Sequence, residues 1–154
     1  MRAAQTQVYR VFIRATPERV WDAITRPEWT ERYFFGTRAG YDLRPGGAFR
    51  SLRAGAEGGG DEVLVDGEVL ECDPPRRLVQ TWRFLYDPAL TAEGFTRVTW
   101  ELTEDDRGVT VLTVTHDLTG APGCAEHVGG AAGGWWWILS GLKTLLETGV
   151  PLGG

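Results

Sequence analysis

The sequence predicts an α+β fold: a curved antiparallel β-sheet covered by a long C-terminal α-helix, with two short helices after the first strand. Three observations carry this. Successive segments between Gln7 and Leu118 alternate apolar and polar residues with the period of half-buried strands. The first strand is followed by two proline-initiated helix starts, Thr16-Pro17-Glu18 and Pro27-Glu28. The stretch Gly134–Gly149, GWWWILSGLKTLLETG, has the length and periodicity of one terminal helix.

The elements follow in order. In Gln7–Arg14, Tyr9, Val11 and Ile13 alternate with Arg10, Phe12 and Arg14. Thr16 can cap the first helix, Pro17 suits its first position, and Glu18 favours its positive end. That helix runs to about Thr25, with Val20 and Ile24 one turn apart, and a second runs from Pro27 through Trp29 and Tyr33. From Arg38 onward the chain reads as strands. Arg44-Pro45-Gly46-Gly47 is a turn, Ala48–Arg53 a strand, and the glycine-dense Gly55–Asp61 a hairpin tip. Val63–Cys72 is stopped by Asp73-Pro74-Pro75. Leu78–Tyr86, Arg97–Thr103 and Val109–Leu118 complete the sheet.

The terminal helix begins between Cys124 and Gly134, and Gly149 with Pro151 ends it. At about 100° per residue, Trp135, Leu139, Leu142 and Leu146 share a stripe edged by Ile138 and Leu145. Trp136 and Trp137 turn away from it. Two readings stay open for them: packing against the segment after Tyr33, or a homodimer or partner interface, since tryptophan is enriched at interface hot spots.

Composition bounds the rest. A chain of 154 residues, 42% hydrophobic and 24% charged, is expected to form one domain over 1–154. A net charge of −5 argues against nucleic acid as a partner, because phosphate binding needs a basic face. No stretch approaches the roughly 20 apolar residues of a membrane span, and the N-terminus lacks a signal-peptide core. A cytoplasmic location is the expectation. Cys72 and Cys124 match no metal-ligand spacing and read as small buried or half-buried residues. Neither a metal nor another cofactor is expected: nucleophile elbow, phosphate loop and dinucleotide fingerprint are all absent. The Gly129–Gly134 run reads as close packing of a helix start against the sheet, and Glu68, Glu71 and Asp73 as a solvated strand edge.

The words and their order resemble the START/Bet v 1-like (SRPBCC) superfamily, in the branch of the activator of the heat-shock protein 90 ATPase. The carriers span about Val8 to Gly149: Pro17 through Thr25, Pro27-Glu28 with Trp29, Arg44 through Phe49, Gly67-Glu68-Val69 leading to Pro74 through Leu78, and Gly134-Trp135 through Leu139, Leu142, Lys143, Leu146 and Gly149. The resemblance implies a helix-grip fold, a sheet wrapped around the terminal helix and enclosing an apolar cavity. It also implies a range of functions, from lipid and hormone carriers to aromatic polyketide cyclases and a co-chaperone domain. The eukaryotic co-chaperone has a separate N-terminal domain that finds no counterpart here, which weighs against direct chaperone stimulation.

The candidate site follows from the inward sheet face. Leu78, Gln80, Trp82, Phe84 and Tyr86 share one side of their strand, Val98 and Trp100 of the next, and Thr110, Leu112, Val114 and His116 of the last. Trp135, Leu139 and Leu142 face them from the helix. These residues either fill a solid core or line a ligand cavity, with Gln80, Tyr86, Thr110 and His116 as its polar groups. The leading expectation is a non-catalytic protein holding a small apolar or aromatic, lipid- or polyketide-like molecule. The alternatives are a cyclase or hydratase using His116, Tyr86 or Gln80 to polarise an oxygen, and a protein-interaction module using Trp136, Trp137 or the face around Trp29 and Tyr33. His127 borders the apolar stripe and is the second of only two histidines.

Overall fold

The computed structural model of the protein describes residues 5–55, 59–129 and 134–153. Seven strands form one antiparallel sheet in the order β1-β7-β6-β5-β4-β3-β2. They are β1 (Thr6–Ile13), β2 (Arg38–Tyr41), β3 (Ala48–Arg53), β4 (Glu62–Asp73), β5 (Arg77–Phe84), β6 (Thr96–Glu104) and β7 (Thr110–Asp117). The helices are α1 (Pro17–Thr25), α2 (Pro27–Thr30), α3 (Pro88–Thr91), α4 (Pro122–Gly129) and α5 (Trp135–Thr148). This is the helix-grip arrangement the sequence predicts.

Local chemistry explains the boundaries. The Thr16 hydroxyl accepts from the Arg19 amide at 3.3 Å, closing the first turn of α1 behind Pro17. Arg26 is extended, as a residue before proline tends to be, and separates α1 from α2. Tyr33 then anchors the following turn by donating its hydroxyl to the Ala23 carbonyl at 2.7 Å. α5 ends where Gly149 takes a left-handed φ of 79° and returns its amide to the Leu145 carbonyl.

The core lies between the sheet and α5. A row of paired residues crosses four strands, Leu78 opposite Trp100, Trp100 opposite Val114, and Val114 opposite Tyr9. Trp135, Ile138, Leu139, Leu142, Leu145 and Leu146 bury the matching face of α5. Bulges between Ser51 and Leu52 and between Val69 and Glu71 bend the far strands. At Gly67 the strands press together: an added Cβ would lie 1.9 Å from the Thr81 carbonyl oxygen.

The second helix stops at Thr30, short of Tyr33, and two further expectations change. The Tyr86–Thr96 connection contains a short helix, α3, whose start the Asp87 carboxylate caps by accepting from the Ala89 amide at 3.0 Å. The terminal region holds two helices rather than one with an uncertain start, because Gly134, with a φ of 73°, is not helical and α5 begins afresh behind it at Trp135. Of the Gly129–Gly134 run, residues 130–133 lie outside the described residues, as do 56–58 of the hairpin tip. At the two described ends of that run the close approaches differ: Gly129 lies against the Gln7 side chain of β1, as packing on the sheet requires, while Gly134 packs against the Val128 carbonyl of α4.

Candidate functional site

α5 packs toward the β1 edge of the sheet and against α1 and α4. The helix therefore leaves the other end of the sheet's inner face uncovered, where β3, β4 and β5 finish. A cleft of about 660 Å³ opens there, within the range of small-molecule sites. β5 contributes Trp82 and Phe84, with Tyr86 just beyond. β4 gives Leu64 and Val65, and β3 gives Ser51 and Arg53. The turn after α2 supplies Phe34, Phe35 and Thr37, and α4 and α5 supply His127, Val128, Trp135 and Ile138.

Aromatic rings make the floor. Trp82 lies 5.8 Å from Trp135 and 6.0 Å from Phe34, measured between centroids, and stacks on Phe49 at 5.2 Å. Phe34 meets Trp135 edge-on at 6.2 Å. Such offset and edge geometries stabilise the cluster beyond simple area burial. At the mouth, Phe35 is 57% exposed and holds a left-handed φ of 55°, uncommon for a side chain of this size.

Polar groups are few. Tyr86 is 45% exposed, and its hydroxyl meets His127 Nε2 in a hydrogen bond. Burial, then the charge of Asp87, pushes the Tyr86 phenol above its ordinary value, so it stays protonated through neutral pH. Arg53 and Glu62 pair with each other at 2.5 Å. Behind the cleft, Gln80 Oε1 accepts from Tyr41 at 2.8 Å and from the Trp100 indole at 2.9 Å. Gln80 Nε2 and Trp82 Nε1 are buried and have no partner.

The fourteen residues expected at the site divide into two groups. Trp82, Phe84, Tyr86 and Trp135 line the cleft. Leu78, Gln80, Val98, Trp100, Thr110, Leu112, Val114, His116, Leu139 and Leu142 do not; they sit in the packed core that α5 closes. Thr110 donates to the Ala15 carbonyl at 2.6 Å. His116 lies behind Trp135, in the core. Of the polar groups expected to face a ligand, only Tyr86 reaches the cleft. His127, Phe34, Val65, Ser51 and Ile138 do so without having been placed there in advance. Register could have found two of them, since Ser51 pairs with Val65 and Val65 with Phe84.

Trp136 and Trp137 are 55% and 43% exposed. Trp136 stands edge-on to Tyr9 at 4.9 Å, and Trp137 lines a shallow groove with Tyr33, Phe35 and Leu152. Among the described residues, no three of His, Cys, Asp and Glu gather as a metal site would require, and no helix is long and apolar enough to cross a membrane.

A curved sheet gripping a terminal helix, with an apolar cleft at its open end, defines a protein of the START/Bet v 1-like class. Within that class the chain belongs to the family described as Activator of Hsp90 ATPase homolog 1-like protein, which matches residues 14–147. Solved structures agree. Protein MLL2253 from Mesorhizobium loti is 29% identical with a TM-score of 0.70, over 93% of this chain and 97% of that one. CalU16 from Micromonospora echinospora is 25% identical with a TM-score of 0.69, over 97% and 87%. PFC0360w, an HSP90 activator from Plasmodium falciparum, shares the fold at 20% identity and a TM-score of 0.65, over 92% and 96%. No curated protein matches the chain in sequence.

Proposed function

We propose that this protein binds a small apolar, aromatic molecule in the cleft between the β3–β5 end of the sheet and the helices α4 and α5. The observation that carries the reading is the aromatic floor of a 660 Å³ cleft, formed by Phe34, Trp82, Phe84 and Trp135. Flat rings stacked or edge-on within the floor offer large contact area to another flat ring, and their fixed packing keeps the entropic cost of binding low. The family and its solved relatives support a ligand-binding protein of this class. A chaperone partner has only the family's description and a shared fold behind it, whereas the cleft is a feature of this chain's own residues.

Titration with naphthalene, 1-anilinonaphthalene-8-sulfonate and lauric acid tests the proposal. Saturable one-to-one binding of an aromatic probe is expected, with quenching of tryptophan emission. Ile138→Trp, which fills the cleft from α5, should abolish that binding while the protein stays folded. Failure of every probe to bind saturably would overturn the reading.

A further inference from the structure

Most of the cleft wall is apolar, and its polar side chains are not equivalent. Arg53 and Glu62 neutralise each other at 2.5 Å and are each more than half exposed. They offer an incoming carboxylate no free positive charge. The second polar pair, Tyr86 with His127, is different in kind. These residues stand 41 positions apart in the chain and meet through their own hydrogen bond, hydroxyl to Nε2.

The fold holds this pair from both sides. Tyr86 leaves the end of β5, and its ring packs edge-on against Phe84 at 5.7 Å. The same Phe84 ring meets His127 edge-on at 5.1 Å. His127 rides on α4, whose first turn is pinned by Glu93: its carboxylate accepts from the Gly123 amide at 3.0 Å and the Cys124 amide at 2.8 Å. Those bonds hold the Glu93 carboxyl below its ordinary value, so the pin stays charged at neutral pH. Phe84, itself part of the floor, thus joins the polar pair to the aromatic surface.

A tyrosine hydroxyl carries one hydrogen and two lone pairs. The contact with His127 uses one of these. When Tyr86 donates to His127, its oxygen accepts from a third group; when Nε2 carries the hydrogen, Tyr86 donates to that group. A ring hydroxyl can both give and take a hydrogen bond and so meets either tautomer of His127; a carboxylate, which only accepts, meets one of the two, and a bare hydrocarbon meets neither.

We propose that Tyr86 and His127 form the polar subsite of the cleft and that the occupant is a hydroxylated aromatic molecule. Its ring lies on Trp82, Phe84 and Trp135, and its hydroxyl binds Tyr86. The inference rests on the reading that the cleft holds an aromatic ligand, and it adds the ligand's polar group and the residues that select it.

Calorimetric titration of 2-naphthol, naphthalene and 2-naphthoate separates the two claims. The wild-type protein should bind 2-naphthol about ten-fold more tightly than naphthalene, the worth of one well-placed hydrogen bond, and should bind 2-naphthoate less tightly than 2-naphthol. Tyr86→Phe should bring the naphthol-to-naphthalene ratio close to one while leaving naphthalene affinity unchanged, which also shows that the variant is folded. His127→Gln should lower the ratio in part. The His127 imidazole nitrogens should shift on addition of 2-naphthol and stay in place with naphthalene. Equal affinities for the two compounds in the wild-type protein, or a ratio that survives Tyr86→Phe, overturns the subsite and leaves aromatic binding standing. Binding of neither compound overturns both.

Discussion

The indole N–H of Trp135 donates to Nδ1 of His116 at 3.0 Å, joining the first residue of α5 to the inner face of β7. On its far side, the His116 ring meets the Thr96 hydroxyl through Nε2 at 2.7 Å. Thr96 spends its own hydrogen on the Trp82 carbonyl at 3.0 Å, so Nε2 must be the donor in that contact. Trp135 supplies the hydrogen at Nδ1, and the imidazole is fixed as one neutral tautomer. A group expected to face a ligand is thereby committed to the core, where it sets the position of a tryptophan that does line the cleft.

That commitment makes stability pH-dependent. Burial pushes His116 down to about 3, against the modest opposing effect of Asp117. The unfolded chain, with a histidine near 6.5, binds the proton first as pH falls. The stabilisation is therefore fully present above 6.5 and is lost progressively between 6.5 and 3. Urea unfolding at pH 7.5 and pH 4.5 should differ by roughly 3 kcal/mol from this group. His116→Gln should remove the slope between pH 6.5 and 4.5 and leave the carboxylate-driven decline below pH 4.

Trp135→Phe removes the donor to His116 Nδ1 while retaining an aromatic ring. An unpaired nitrogen is then left in the core, and the smaller ring leaves a gap. Unfolding free energy should fall by about 2–4 kcal/mol. Ligand affinity should weaken as well, since the indole is part of the floor.

Gly67 sits where β4 crosses closest to β5. Gly67→Ala would drive a methyl group to 1.9 Å from the Thr81 carbonyl, a backbone atom that cannot swing aside. A loss of about 2–3 kcal/mol is expected in chemical denaturation, with the strands forced apart. Gly60→Ala, where a Cβ would meet nothing within 4 Å, is the matched control and should change stability little.

Phe35 places an exposed ring at the cleft mouth on a left-handed backbone. Asparagine tolerates that conformation better. Phe35→Asn should leave the thermal midpoint unchanged or raise it by the equivalent of about 0.5–1 kcal/mol, and should weaken naphthalene binding. A protein that loses stability and keeps its affinity would show that the ring serves the fold and not the cleft.

Much of this architecture was legible in advance. β2 starts at Arg38, β3 spans Ala48–Arg53, and α5 covers Trp135–Thr148, all close to what alternation and helical periodicity indicate. The buried stripe Trp135, Leu139, Leu142 and Leu146 is as the 100° spacing requires. The site was legible only in outline. Alternation shows which side of a strand faces inward, but an inward residue over the middle of α5 is core, while one past the edge of α5 lines a cleft. His116 and Tyr86 read alike as polar residues near strand ends, yet one is sealed behind Trp135 and the other stands at the opening.

By itself, then, the sequence determined the run of strands, the two early helices and the inward face, because these depend on spacing between near neighbours in the chain, and its motifs carried the resemblance to the family. Tertiary structure alone decided where the helix stops covering the sheet, and so where the cleft lies. It also brought Tyr86 to His127 and Trp135 to His116. Those contacts join residues 41 and 19 positions apart on different elements, and their geometry depends on how α4 and α5 settle against the sheet.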